Sequence, residues 1–139
     1  MAVEIDINYL GDLRCHATHG PSGQTLTTDA PVDNGGKGEA FSPTDLVATA
    51  LGACLITVMS LGARRTGLDL AGTEIHVVKE MVADPIRRIG TLRATVTLPE
   101  DKRFSAADRA RLEQIANTCP VKASLHPDVN VVMDFVYPE

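Results

Sequence analysis

The chain has 139 residues, of which 44% are hydrophobic and 22% charged, and its formal net charge is −5. These proportions are typical of a soluble globular protein and predict one domain over residues 1–139, not a disordered chain. The negative charge makes neither a nucleic-acid backbone nor an anionic membrane the favoured partner, so no nucleic-acid or membrane interaction is expected.

The first part of the chain is predicted to form an antiparallel meander. Apolar and polar side chains alternate over residues 3–9 and again over 13–17, the pattern of half-buried strands. Turns at 11–12 and 20–23 separate these strands from a short Thr-rich strand at 24–28. Acidic residues stand near the N-terminus where a secretion signal would carry basic ones, so no signal peptide is expected.

Residues 42–65 are predicted to form a long buried helix. Ser42 can cap its start, Pro43 suits its first position, and Asp45 lies near the positive end of the helix dipole. Residues 46–63 carry no charge, so this helix must be covered on most sides. The run also meets the length of a membrane span, but its polar and small residues and the amphipathic elements around it favour a core helix.

The second half alternates between strands and helices. We predict strands at 74–83, 91–98 and 129–135, the first two forming a hairpin, and helices that begin at Ser105 and Pro120. Antiparallel strands interrupted by helices indicate the α+β class.

The long helix is rich in small residues that would let a second helix approach closely. A single antiparallel sheet of this size covers only one side of such a helix, and the simplest cover for the rest is the same helix of a second subunit. We therefore expect an obligate homodimer with an apolar interface. The small residues are Ala48, Ala50, Gly52, Ala53, Gly62 and Ala63.

Three cysteines, Cys15, Cys54 and Cys119, lie far apart in the sequence. Their odd number and wide spacing favour reduced thiols in the cytoplasm over a secreted disulfide framework. The histidines are scattered, so we expect no metal site, and no motif calls for a cofactor. Cys119 precedes a short helix with Lys122 in its first turn, a setting that lowers the pKa of a thiol.

Each cysteine could simply fill space in the core, and this is the interpretation that we favour for Cys15. Cys54 lies about three turns into its helix among apolar residues, where burial alone would make it inert. No local motif joins Cys54 to Cys119. If the fold brings them together, they would form a peroxidatic and resolving pair that passes from sulfenic acid to disulfide.

Two segments resemble the OsmC/Ohr superfamily of osmotically inducible and organic-hydroperoxide-resistance proteins. They are FSPTDLVATALGACL at 41–55 and TCPVKASL at 118–125, and the glycine-rich segment HGPSGQTLTTDAPVDNGGKGEAFSP resembles the family's lead-in. The resemblance covers nearly the whole chain. It implies an OsmC-like fold, with antiparallel sheets packed around a long central helix, an intertwined homodimer, and a site at the subunit interface.

The resemblance also implies a cysteine-based thiol peroxidase that reduces organic hydroperoxides in oxidative-stress defence. Cys54 matches the family's peroxidatic cysteine and Cys119 its resolving cysteine, and the disulfide would be reduced by an external dithiol, in this family often a lipoyl group. The apolar neighbours Leu51, Leu55 and Val58 would suit an organic peroxide.

Two residues of the family's site do not carry over. Thr44 stands where the characterised peroxidases have a glutamate, and Pro21 stands where they have an arginine. The ion pair that holds their thiolate ready is thus missing from its usual places. Candidate replacements are Arg14 or His19 for the cation and Asp45 or Glu39 for the carboxylate.

These departures leave two other hypotheses open. One is a non-peroxidase OsmC-like module that binds a small apolar or thiol-reactive ligand at the dimer interface. The other is a structural or membrane-associated protein in which the thiols only pack.

Overall fold

The computed structural model describes all 139 residues and contains six strands, three α-helices and one 3₁₀ turn at Val32–Asn34. The predicted α+β class and the predicted element order are confirmed. The strands are β1 Ile5–Gly11, β2 Arg14–His19, β3 Thr25–Asp29, β4 Glu74–Val82, β5 Arg88–Thr97 and β6 Asn130–Val136, and the helices are α1 Pro43–Arg64, α2 Ala106–Ala116 and α3 Pro120–Ser124. The chain divides into two compact units, residues 1–47 and 48–139.

The first unit contains the predicted meander, with β1, β2 and β3 paired in sequence order. Asp12 and Leu13 form the turn between β1 and β2, and both have positive φ angles, 54° and 61°. Two such residues match the right-handed twist of a hairpin. Ile5, Ile7 and Tyr9 remain 58–66% exposed, so this unit leaves much of the apolar surface of β1 uncovered.

The second unit contains the other sheet, in which β5 lies between β4 and β6. β4 and β5 form the predicted antiparallel hairpin, but β6 runs parallel to β5. The expectation of purely antiparallel sheets is therefore wrong for this pair. Because α2 and α3 lie between β5 and β6, the chain can return to the starting end of the sheet, as a parallel crossover requires.

The long helix α1 supplies the centre of the second unit's core, where Leu51, Leu55 and Met59 are fully buried. By length and composition it could also cross a membrane, although 39% of its most apolar window is buried inside the chain. Gly52 lies against Val77 of β4 and Gly62 lies against Ile115 of α2.

These contacts correct the predicted use of the small residues in α1. Four of them, Ala48, Gly52, Gly62 and Ala63, are buried within the chain itself. Ala50 and Ala53 remain exposed. The small residues therefore serve internal packing more than the predicted dimer seam.

Helix α2 begins as predicted from the sequence. Ser105 caps it, and a reciprocal pair of hydrogen bonds joins Ser105 and Asp108. Leu112 and Ala116 are buried and Ile115 is half-buried. The predicted break after α2 is also present, because α3 begins at Pro120 with Cys119 at its N-cap.

Candidate functional site

Cys54 and Cys119 are close neighbours, near enough for the Cys54 sulfur to raise the pKa of the Cys119 thiol. Cys54 is half-buried on α1, whereas Cys119 is fully buried. All three cysteines of the chain are free thiols. The fold thus brings together the two cysteines that no local motif joins, and it gives them different access to solvent.

The turn between α2 and α3 places Cys119. Its backbone N–H donates to the carbonyl of Ala116 at 3.2 Å, and its own carbonyl accepts from the N–H of Ala123 at 3.0 Å. Pro120 at the first position of α3 fixes where the new helix begins. Cys119 is therefore held by backbone bonds on both sides.

Burial raises the pKa of the Cys119 thiol above its ordinary value, and the neighbouring Cys54 sulfur raises it further. The backbone N–H groups of Lys122 and Val121 act in the opposite direction but are outweighed. The start of α3 thus acts in the predicted direction, but the predicted net lowering of the Cys119 pKa is wrong because burial outweighs it. The Lys122 ammonium donates instead to the side-chain oxygen of Asn117, at 2.9 Å. Cys119 stays protonated at neutral pH.

Cys15 is not part of this pair. It is the second residue of β2, where its register partners are Tyr9 on β1 and Thr28 on β3, and it is half-buried. No group of three His, Cys, Asp or Glu side chains is arranged to hold a metal ion.

The first unit contains a separate charged cluster, formed by Arg14, Asp29 and Glu39. Arg14 Nε and Nη2 donate to the two carboxylate oxygens of Asp29 at 2.7 and 2.8 Å, and Nη2 also donates to Glu39 Oε1 at 2.8 Å. The Asp29 carboxylate has 0% exposure and Glu39 has 68%. Two of the four candidate replacements, Arg14 and Glu39, are thus paired with each other.

The pKa values in this cluster follow from its hydrogen bonds. Those to Arg14 hold the pKa of Asp29 below its usual value, despite the opposing effect of burial. The same bonds raise the pKa of Arg14. Asp29 was not predicted as a site residue, because the end of a Thr-rich strand gives no sign that its last residue turns inward.

The other two candidate replacements have local roles. Asp45 accepts a hydrogen bond from the backbone N–H of Ser42 at 2.9 Å, and Ser42 Oγ accepts one from the Asp45 N–H at 3.1 Å, so the pair caps α1. His19 contacts Ser22 Oγ at 2.6 Å in the exposed turn that contains Pro21.

The predicted apolar neighbours of Cys54 differ in their accessibility. Leu51 and Leu55 are fully buried in the core and cannot meet a substrate, while Val58 is half-buried. The exposed side of α1 carries Ala50, Ala53, Thr57 and Leu61. A groove of about 350 Å³ runs beside it, lined by Ser60, Arg64 and residues 69–73 among others.

Comparison with known proteins identifies the family. The sequence pattern of a family described as OsmC-like protein matches residues 36–134. No curated protein matches the chain significantly. The motifs quoted above at 41–55 and 118–125 both lie in the matched region.

Solved structures extend this similarity to the whole fold. A protein of Psychrobacter arcticus 273-4, named for osmotic stress induction and detoxification response, is 42% identical, with a TM-score of 0.89 over 94% of this chain and 93% of its own. The organic hydroperoxide resistance protein OsmC of Legionella pneumophila has a TM-score of 0.78 at 16% identity, covering 98% of this chain and 97% of its own. An organic hydroperoxide resistance protein of Elizabethkingia anophelis, solved with thiocyanate bound, has a TM-score of 0.77 at 12% identity, covering 99% and 96%.

Proposed function

The chain belongs to the OsmC-like protein family, and on this premise we propose that it is a thiol-dependent peroxidase that reduces organic hydroperoxides in oxidative-stress defence. Cys54 is the attacking cysteine and Cys119 the resolving cysteine. The observation that carries the proposal is the proximity of these two thiols in the fold.

The difference in burial supports the assignment of the two roles. Cys54 is accessible enough to meet a peroxide, whereas Cys119 has no exposed surface and can react only with what is bound at Cys54. The raised pKa of Cys119 keeps its proton in place until Cys54 has reacted. A neutral resolving thiol does not compete for the peroxide, because the thiolate is the nucleophile.

The proposed reaction has three steps. The Cys54 thiolate attacks one oxygen of the hydroperoxide, the O–O bond breaks, and the alcohol leaves with a proton while Cys54 becomes a sulfenic acid. The Cys119 sulfur then loses its proton and attacks the Cys54 sulfur, so that the disulfide forms and water leaves. An external dithiol reduces this disulfide by exchange and is itself oxidised.

The exposed apolar surface supports a homodimer as the working form. In the second unit, Leu61 on α1 is 56% exposed, and in the first unit Ile7 and Tyr9 are each 66% exposed. Apolar surface of this kind marks interaction sites in soluble proteins. We expect the molar mass from light scattering to equal that of two chains.

We also place the protein in the cytoplasm, where its thiols stay reduced.

Stopped-flow consumption of cumene hydroperoxide, with a dithiol as reductant, tests the proposed activity. Cys54→Ser should abolish turnover. With the dithiol left out, Cys119→Ser should consume one equivalent of peroxide and then stop with a sulfenic acid that dimedone traps, because the resolving step is lost.

Cys15→Ser is the matched control, since it removes a thiol of similar burial outside the pair, and it should turn over like the wild type. If the wild type consumes peroxide no faster than Cys54→Ser, the peroxidase proposal is wrong. Ligand binding without turnover would then favour the non-peroxidase OsmC-like module.

A further inference from the structure

Two rows of side chains meet where α1 packs against α2. The first row runs along α1 from Cys54 to Gly62, which are two steps of four residues apart. The second row runs from Arg111 on α2 to Cys119 in the turn after α2, and these two residues are also two steps of four apart. Residues four apart lie on the same face of a helix. The eight residues of the first row span about 12 Å of α1, whereas the second row leaves α2 at Ala116 and reaches Cys119 through the turn before α3.

The rows run in opposite directions and touch at both ends. At one end the Cys54 and Cys119 thiols meet. At the other end Arg111 Nη2 donates to the carbonyl of Gly62 at 2.7 Å, and Nη1 donates to Thr66 Oγ1 at 3.0 Å. We call these three residues, Gly62, Thr66 and Arg111, the arginine clamp.

The residue between the two ends makes the packing close. Ile115 lies one step along the row from Arg111, and its side chain occupies the space that a Cβ at position 62 would fill. Gly62 therefore allows α2 to approach α1 to a distance at which the guanidinium reaches the α1 backbone. The carbonyls at the end of a helix attract a cation, which strengthens this bond.

We propose that Arg111 is a positioning residue for the thiol pair. By tying α2 to the end of α1 it fixes how α2 lies along α1, and thereby where Cys119 stands relative to Cys54. A disulfide forms only over a narrow range of Cα and Cβ separations, so a small displacement of α2 slows closure. Arg111 acts on the closing step alone, because it does not touch Cys54. Its part in turnover rests on the proposed function, but its effect on closure does not.

Thiol–disulfide exchange tests this without any peroxide. The Cys54 thiolate attacks glutathione disulfide, releases one glutathione thiolate and forms a mixed disulfide. Cys119 then attacks the Cys54 sulfur, gives up its proton and displaces the second glutathione, leaving the intramolecular disulfide. Mass spectrometry of acid-quenched samples distinguishes the mixed disulfide from the intramolecular disulfide and so follows the two steps separately. The ratio of the two species at a known glutathione concentration gives the effective concentration of the Cys119 thiol.

Arg111→Met keeps the apolar stem and removes the clamp's hydrogen bonds. We expect it to lower the rate and the effective concentration of closure about tenfold, because misplacement by even 1 Å is costly for an intramolecular step. Formation of the mixed disulfide, measured in a Cys119→Ser background, should not change. Arg111→Lys should restore part of the closure, since one hydrogen bond to the Gly62 carbonyl remains possible.

Arg93→Met is the matched control, because the same change then breaks only an exposed ion pair with Glu80, and closure should stay at the wild-type rate. If Arg111→Met does not fold, Thr66→Val removes one clamp bond at lower cost and should slow closure by a smaller factor. Wild-type closure in a folded variant lacking the clamp overturns the proposal. Absence of peroxide turnover in the wild type overturns the proposed function and leaves this result standing.

Discussion

The two compact units differ in the polarity of their buried side chains. In residues 1–47 the buried side chains are polar, namely Thr28, Asp29 and Ser42. In residues 48–139 the buried side chains are apolar, and Leu51, Leu55 and Met59 of α1 are among them with no exposed surface. Both units contain a three-stranded sheet, so the strand content does not account for the difference.

The two units therefore hold their buried groups in place by different interactions. A buried polar group is stable only while its hydrogen bonds are made, so the geometry around Asp29 depends on the partners Arg14 and Glu39 and on pH. An apolar core has no such dependence. It holds Cys54 and Cys119 in place together with the backbone hydrogen bonds of Cys119, and the same burial raises the pKa of Cys119.

The largest effect is expected from removing a side chain in the apolar core. Leu55→Ala leaves a cavity beside the turn of α1 that carries Cys54 and should lower the free energy of unfolding by about 3 kcal/mol. Urea unfolding followed by circular dichroism measures this. Ile86→Ala, in the exposed turn between β4 and β5, is the control and should change stability by less than about 0.5 kcal/mol. Equal losses would show that α1 does not form the core.

The polar core of the first unit should give stability that depends on pH. The pKa of Asp29 is lowered in the folded chain, so its contribution is complete above its ordinary pKa of about 4 and is lost as the pH falls through the folded value. Asp29→Asn should therefore be less stable than the wild type at pH 7, and the difference should begin to shrink as the pH falls below about 4. Urea midpoints between pH 3 and pH 7 measure the difference.

Asp33→Asn removes an exposed carboxylate from the nearby 3₁₀ turn and serves as the control. Its urea midpoints should follow those of the wild type across the same range. A difference between Asp29→Asn and wild type that is as large at pH 3 as at pH 7 would mean that Asp29 contributes by packing and not through its charge.

The sequence predicts the elements of both units but not every contact between them within a unit, for a physical reason. Hydrophobic periodicity reports which side chains face a core, so α1, the β4–β5 hairpin and the cap at Ser105 were predictable. The Asp29 cluster was not, because a buried carboxylate has no periodic signature. Nor was the parallel pairing of β6, since alternation shows which face of a strand is buried but not the strand's direction.

The same limit applies to the thiol site. The family motifs identify Cys54 and Cys119, but their contact depends on how α1 packs on α2, and that packing depends on Gly62 and Arg111. Neither residue stood out as functional in the sequence. A glycine in a helix rich in small residues and an arginine on an amphipathic helix are ordinary until the fold places them together.

The smallest expected effect is a difference in unfolding free energy between two copies of the same helix cap. Ser42 with Asp45 and Ser105 with Asp108 form the same reciprocal cap, with all four hydrogen bonds between 2.9 and 3.1 Å. Ser105 is exposed, so water can replace its hydroxyl, whereas Ser42 has only 4% exposure. Ser105→Ala should lower the free energy of unfolding by about 0.5–1 kcal/mol and Ser42→Ala by about 1.5–2 kcal/mol, the two ends of the range for caps. Urea unfolding of both variants at pH 7 measures the gap. If the two variants lose the same free energy of unfolding, water reaches the Ser42 cap. Burial of Ser42 would then add nothing to the strength of its hydrogen bonds.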